Sequence, residues 1–161
     1  MNNSLELINI SKSFVLEKKI NVLKKLSYSF KKGKVYALMG PSGSGKSTLL
    51  NLLSLIDKPT SGIIKFENKI INSKEEDNND IFRSKNIGII YQQNNLLPDF
   101  TALENVYLAS LSNKNDRDLA KNKATDLLKK IGLSNRLHHF PSQLSGGESQ
   151  RVAIVRAIIN D

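Results

Sequence analysis

The chain has 161 residues, a formal charge of +9 and no cysteine, so it has room for one domain with a hydrophobic core and none for disulfide or thiolate–zinc chemistry. No basic start leads into an apolar core at the N-terminus, which argues against a secretory leader, and no apolar run approaches the roughly 20 residues of a membrane span; work at a membrane would need another chain. The charge is compatible with nucleic acid or anionic lipid, but the lysines are scattered, with Lys18-Lys19, Lys24-Lys25 and Lys31-Lys32 the nearest to a patch, and nucleic acid is not an expected partner.

In chain order, Leu5, Leu7 and Ile10 mark a first strand, and Leu23, Leu26, Tyr28 and Phe30 a second, across a polar, lysine-bearing turn. Phe14 closes the first strand, either as a core aromatic or as a ring for a base to stack on. Val35–Met39 is an apolar run of strand length, and Thr48–Ile56 reads as a buried helix. Between them lies Gly40-Pro41-Ser42-Gly43-Ser44-Gly45-Lys46-Ser47-Thr48. Its glycines let backbone N–H groups approach a phosphate, the following helix N-terminus adds free donors and a favourable dipole, Lys46 supplies a point charge, and the Ser47 hydroxyl suits a Mg²⁺ ion. A strand on one side and a helix on the other are the context this loop requires, and they imply a bound nucleoside triphosphate.

Pro59–Gly62 is a turn, and Ile63, Ile64 and Phe66 form a strand entering a hairpin at Glu67-Asn68-Lys69. Lys74–Asp80 reads as a polar surface excursion. Ile87–Tyr91 is the next buried strand, with Gln92 at its end, where open α/β sheets place ligands; the same glutamine could simply cap the strand. Thr101 and Glu104 have capping-box spacing and open a helix to about Leu111. A second helix runs from about Asp116, through Leu119, Ala120, Lys123, Leu127 and Ile131, to a stop at Gly132. His138 and His139 stand in a polar connection without partner ligands and read as surface residues. Ser145 and Glu148 repeat the capping-box spacing around Gly146 and Gly147. That is either a second anion site at a helix N-terminus or only a well-capped helix.

Taken together, the phosphate loop (Walker A) at Gly40–Thr48, the glutamine Gln92 and the signature Leu144-Ser145-Gly146-Gly147-Glu148 resemble, in order and spacing, the ATP-binding subunits of ABC transporters. Within that family, the run from Ile90 to Val106 and the run from His138 to Glu148 look most like the lipoprotein-releasing branch, while macrolide-export and cell-division ATPases share much of the pattern. The resemblance implies an α/β P-loop NTPase fold: an antiparallel N-terminal part, a mixed or parallel core sheet and a helical insertion. It divides the chain into an ATP-binding core (1–91), a Gln92-loop and helical part (92–143), and the signature with its helix (144–161). It also implies ATP and Mg²⁺ as cofactors, with Phe14 on the adenine, Lys46 and the loop amides on the phosphates, and Ser47 with Gln92 on the metal. Ser145, Gly146 and Gly147 would face the γ-phosphate held by a second copy in a head-to-tail dimer. The helical part and Gln92 would meet integral membrane subunits at the cytoplasmic face of the inner membrane.

One departure is expected to matter. The family pattern continues into a strand ending in an aspartate and a catalytic glutamate, then a switch histidine, and these 161 residues contain no apolar run ending in Asp-Glu. A truncated domain, with feeble ATP hydrolysis by this polypeptide, is therefore expected. Two other classes stay open: a DNA-repair or chromosome ATPase, disfavoured by the lack of sustained heptads or cysteines between the motifs, and a non-hydrolysing ATP-binding protein.

Overall fold

The computed structural model describes residues 3–15, 17–71, 76–111 and 115–160. The chain divides into two units, residues 1–80 and 81–161. The first is built on a four-stranded antiparallel sheet of order β2-β1-β3-β4, with β1 at Asn3–Val15, β2 at Lys19–Lys31, β3 at Ser61–Phe66 and β4 at Lys69–Ile70. A flat strand would send Leu7 and Ile10, three residues apart, to opposite faces. Both are nonetheless buried, because the β1–β2 register shifts between them. Asn9 (φ 51°) and Lys25 (φ 46°) take left-handed backbone at this bulge. Hydroxyls replace the lost ladder bonds: Asn9 N donates to Ser27 Oγ (2.9 Å) and Lys25 N to Ser11 Oγ (3.0 Å).

The hairpin expected at Glu67-Asn68-Lys69 is a two-residue turn at Glu67-Asn68 with positive φ at both positions, closed by the pair Phe66–Lys69, so that Lys69 already belongs to β4. Helix α1 (Lys46–Leu53) buries Leu49 and Leu52. It stops short of the expected Ile56 because Leu55 turns left-handed (φ 56°), Leu55 N bonds Leu52 O and Ile56 N bonds Asn51 O. This is a Schellman ending with a leucine where glycine is usual, so nothing in the local sequence announced it. Leu7, Leu26, Tyr28, Phe30, Tyr36 and Leu49 are among the walls of an apolar cavity of about 300 Å³. With hydrocarbon and aromatic walls, it offers little to an anion.

The second unit is helical: α2 (Glu76–Asn86, within which the division between the units falls), α3 (Ala102–Leu111), α4 (Arg117–Lys130) and α5 (Gly146–Ile158). Its core joins Ala102, Leu103, Val106 and Tyr107 of α3, Ala120, Ala124 and Leu128 of α4, Leu133, and Val152, Val155 and Ile159. The helix starts are as expected. Thr101 N donates to Glu104 Oε2 at 2.8 Å, and Asp116 caps α4 through the N–H groups of Asp118 and Leu119. Gly132 (φ 78°) follows the end of α4. Among the described residues, no helix is long and apolar enough to cross a membrane.

Three expectations are corrected. Val35–Met39 and Ile87–Tyr91 do not form strands, although the chain there has the apolar character of buried ones. A strand exists only through a ladder partner, and no described residue pairs with either run. Val35 and Met39 are accordingly 100% and 86% exposed. In the polar stretch 74–80, Lys74 and Glu75 lie outside the described residues, and from Glu76 onward the chain is helical, with Asn79 buried and not at the surface.

Gly62 is where the sheet tolerates least change. Its φ is 102°, and a Cβ there would lie 2.6 Å from Asn9 O, so β3 passes the bulge with no room for a methyl group. Gly62→Ala is expected to cost about 2 kcal/mol or more, read as a lowered denaturation midpoint, whereas Gly33→Ala, which meets nothing within 4 Å, should cost only the strain of its positive φ.

Candidate functional site

The phosphate loop joins the sheet of the first unit to α1. Gly40, Gly43 and Gly45 all have positive φ (153°, 79° and 90°), which keeps the backbone from Gly40 to α1 in conformations that L side chains resist. Gly45 is the N-cap of α1 and no side chain caps that end. In most helices a Ser, Thr, Asp or Asn oxygen takes one of the first free N–H groups. Here those groups stay free of side-chain oxygens, and the first turn holds no acidic residue to compete with an anion. A Cβ on Gly45 would stand 3.0 Å from Val22 Cγ1 and 3.2 Å from Leu23 Cδ2, so the loop rests directly on β2.

Lys46, the first residue of α1, folds back over this loop. Its Nζ donates to Gly40 O at 2.8 Å and to Pro41 O at 2.6 Å, which fixes the ammonium above the glycine backbone and leaves one of its three N–H groups unassigned. Ser47 is exposed one residue further on. The donor set therefore fits a triphosphate, with a cluster of backbone N–H groups, an ammonium and no carboxylate. The Ser47 hydroxyl adds a hard oxygen of the kind Mg²⁺ prefers.

Phe14 stands on the same hairpin. It pairs with Ile20, and two residues earlier Lys12 pairs with Leu23, the residue that packs on Gly45. The ring is 40% exposed. Lys12 Nζ lies over it, 5.0 Å from the centroid, held by Asp57 Oδ1 (2.6 Å) and Lys58 O (2.8 Å). A cation thus lies over the ring of a partly exposed aromatic. Lys12 escaped the sequence reading, because a lysine alternating with serine and phenylalanine in an edge-like run looks like an ordinary solvated charge.

The remaining motif residues belong to the second unit. Gln92 is exposed in the turn that follows Ile87–Tyr91. Ser145 caps α5: its Oγ accepts from Glu148 N at 3.2 Å, while Ser145 N donates to Glu148 Oε2 at 2.8 Å. Arg136 Nε adds a 2.8 Å bond to Glu148 Oε1. The Ser145 backbone N–H, the Arg136 guanidinium and the Ser145 hydroxyl together hold the Glu148 carboxyl down at about 2. Because its folded value is depressed below the ordinary 4.5, the cap is fully in place above pH 4.5 and is lost only as pH falls toward 2. Glu148 is thereby committed to the cap. A Cβ on Gly146 would meet nothing within 4 Å, and on Gly147 only Arg151 Nη1 at 3.8 Å. The fold itself has no need of bare backbone at either position.

Sequence reasoning also missed Asn105 and Arg156. Asn105 is buried in α3; its Nδ2 donates to Leu97 O, Phe100 O and Thr101 O, and its Oδ1 accepts from Leu97 N. Arg156 of α5 donates from Nη1 to Asn95 O and from Nη2 to Asn94 O, both at 2.7 Å. A single arginine inside the apolar run Val152–Ile159 was the available signal, since a buried cation needs partners.

The chain is 45% identical over 142 residues to the lipoprotein-releasing system ATP-binding protein LolD of Cytophaga hutchinsonii, covering 88% of this chain and 65% of that protein. It is 44% identical over 145 residues to the uncharacterized ABC transporter ATP-binding protein MJ1508 of Methanocaldococcus jannaschii, covering 90% and 65%. The solved dimeric, post-hydrolysis structure of the ATP-binding cassette MJ0796 bound to ADP and Pi superposes with a TM-score of 0.87 at 39% identity, over 97% of this chain and 69% of that one. The chain thus spans about two-thirds of the length of these proteins. The ABC transporter family model matches residues 23–161, from the second strand to the end of the signature helix, and the chain belongs to that family of ATPases.

Proposed function

We propose that the chain supplies the nucleotide-binding machinery of an ABC transporter that releases lipoproteins from the inner membrane, working at its cytoplasmic face. The observation that carries the reading is the phosphate loop: three glycines of positive φ lead into a helix without a side-chain cap, and the following lysine lies across them. In this reading the loop amides, Gly40 to Thr48, and Lys46 hold the phosphates of ATP, and the partly exposed ring of Phe14 receives the adenine. Ser47 and Gln92 contribute oxygens to Mg²⁺, which supplies charge neutralisation to the phosphates when bound. Residues 1–91 act as the ATP-binding core, 92–143 as the Gln92-loop and helical part, and 144–161 as the signature and its helix.

The signature completes the reading through a second copy. Gly146 and Gly147 occupy the first turn of α5, where alanine would favour the helix, yet among the described residues no neighbour requires their bareness. Close approach by a phosphate outside the chain accounts for them, with Ser145 beside it. The dimeric state of the MJ0796 cassettes supports a pair, which in this reading is head-to-tail. The helical part and Gln92 then face the membrane subunits. A second reading, a transport ATPase of this family with another cargo, is supported by the comparable identity to MJ1508.

Two variants test the assignment. Lys46→Ala should weaken Mg²⁺–ATP binding by about 10- to 100-fold in calorimetry, the scale of a lost hydrogen bond to a charged group; undiminished affinity would overturn the loop's role. Gly146→Ala should leave the melting temperature unchanged or slightly raised while suppressing Mg²⁺–ATP-dependent dimerisation in sedimentation. Dimerisation as strong as in the parent chain would remove the signature from the interface.

A further inference from the structure

The end of β1 that carries Phe14 is fastened to the segment leaving α1. Thr60 N donates to Ser11 O at 2.8 Å, and Ser13 N donates to Thr60 Oγ1 at 3.0 Å. Between these two bonds the Lys12 side chain reaches across to Asp57 Oδ1 (2.6 Å) and Lys58 O (2.8 Å). Asp57 is itself held: its N–H donates to Asn51 O of α1 at 3.2 Å, and its Oδ1 also accepts from Lys58 N at 2.7 Å. A continuous set of bonds therefore runs from the strand residue two before Phe14 to the last turn of the helix whose first turn follows the phosphate loop.

Surface lysines seldom hold one geometry, because ordering a long side chain costs about as much as an exposed ion pair returns. Lys12 differs in that its side chain is only 12% exposed and that of Asp57 31%. The pair is largely out of water, and each charge needs the other. Two of the three ammonium N–H groups have oxygen partners, and the charge lies 5.0 Å from the centroid of the Phe14 ring. Phe14 has no polar atom with which to fix its own place. Its neighbours, Val15 next in the chain and Ile20 across the ladder, are themselves exposed and offer it little cover. Attraction between a cation and an aromatic face is directional, so a cation that cannot move gives the ring a preferred place.

We propose that Lys12 is a positioning residue for the nucleobase. Fixed by Asp57 and Lys58, its ammonium holds the Phe14 ring ready for a flat aromatic base and ties that platform to α1. Base and triphosphate then meet sites whose separation is set before either binds, which spares the complex the cost of ordering the ring. The pin follows from the geometry alone; its consequence rests on the reading in which Phe14 receives the adenine.

NMR reads the pin. Shielding by the ring should move the Lys12 ε-methylene protons upfield in the parent chain, and Phe14→Leu should return them to ordinary lysine positions; identical positions in the two chains would overturn it. Calorimetry with Mg²⁺–ATP and, separately, Mg²⁺–tripolyphosphate reads the consequence. Lys12→Met keeps the stem and removes the charge, and should weaken ATP binding by about 2- to 10-fold, the scale of one immobilised side chain, with tripolyphosphate unchanged. Equal losses for both ligands would show that Lys12 acts on the phosphates or on the fold. Adding Asp57→Asn to Lys12→Met separates stability from positioning. Removing the unpaired carboxylate should recover the melting temperature lost in Lys12→Met without recovering the preference for ATP over tripolyphosphate, and recovery of both would overturn the role in base binding. If Phe14→Leu leaves that preference intact while the NMR result stands, the pin is upheld, but the assignment of the adenine to Phe14 fails and the role of Lys12 fails with it.

Discussion

Everything in the first unit that matters for chemistry depends on leaving one helix end uncapped. The free N–H groups at the start of α1 are a cost that most helices remove with a side-chain oxygen. Gly45 has no side chain to offer, its φ of 90° resists one, and a Cβ there would press on Val22 and Leu23. The sheet favours the bare terminus: the bulge at Asn9 lets Leu7 and Ile10 both face inward, β2 follows β1, and the loop rests on β2. Phosphate affinity and sheet packing are satisfied by the same missing atom.

The second unit applies the opposite device. Its helix start at Ser145 is capped by a carboxylate that Arg136 holds in place, and that leaves the bare backbone of Gly146 and Gly147 projecting from a rigid end. Rigidity there comes from charge-assisted bonds and from the packing of Val152, Val155 and Ile159. If, as proposed, a second molecule completes the site, this rigidity is useful, since a soft terminus would spend ordering entropy each time the partner arrived.

Most of this was legible in the chain. Capping boxes at Thr101 and Ser145, the alternation of the first strands, the hairpin at Glu67-Asn68 and the glycine-lysine loop are all local signals, carried by residues whose roles are decided within a few positions. What was not legible is non-local. Val35–Met39 and Ile87–Tyr91 have the composition of buried strands, but strand formation is decided by a neighbour and not by the run itself. The left-handed leucine ending α1 is a tertiary choice made by burial of Leu55. Lys12 over Phe14 and Arg156 over Asn94 and Asn95 join residues 2 and about 60 positions apart on geometry that no spacing rule records.

The central claim, that backbone amides of the loop and the first turn of α1 hold a triphosphate, is tested most directly by amide NMR on the ¹⁵N-labelled chain titrated with inorganic tripolyphosphate and, separately, with adenosine. The account predicts saturable tripolyphosphate shifts concentrated in the amides of residues 42–48, with adenosine moving only the neighbourhood of Phe14. Tripolyphosphate shifts scattered over the surface lysines, with residues 42–48 unmoved, would contradict it.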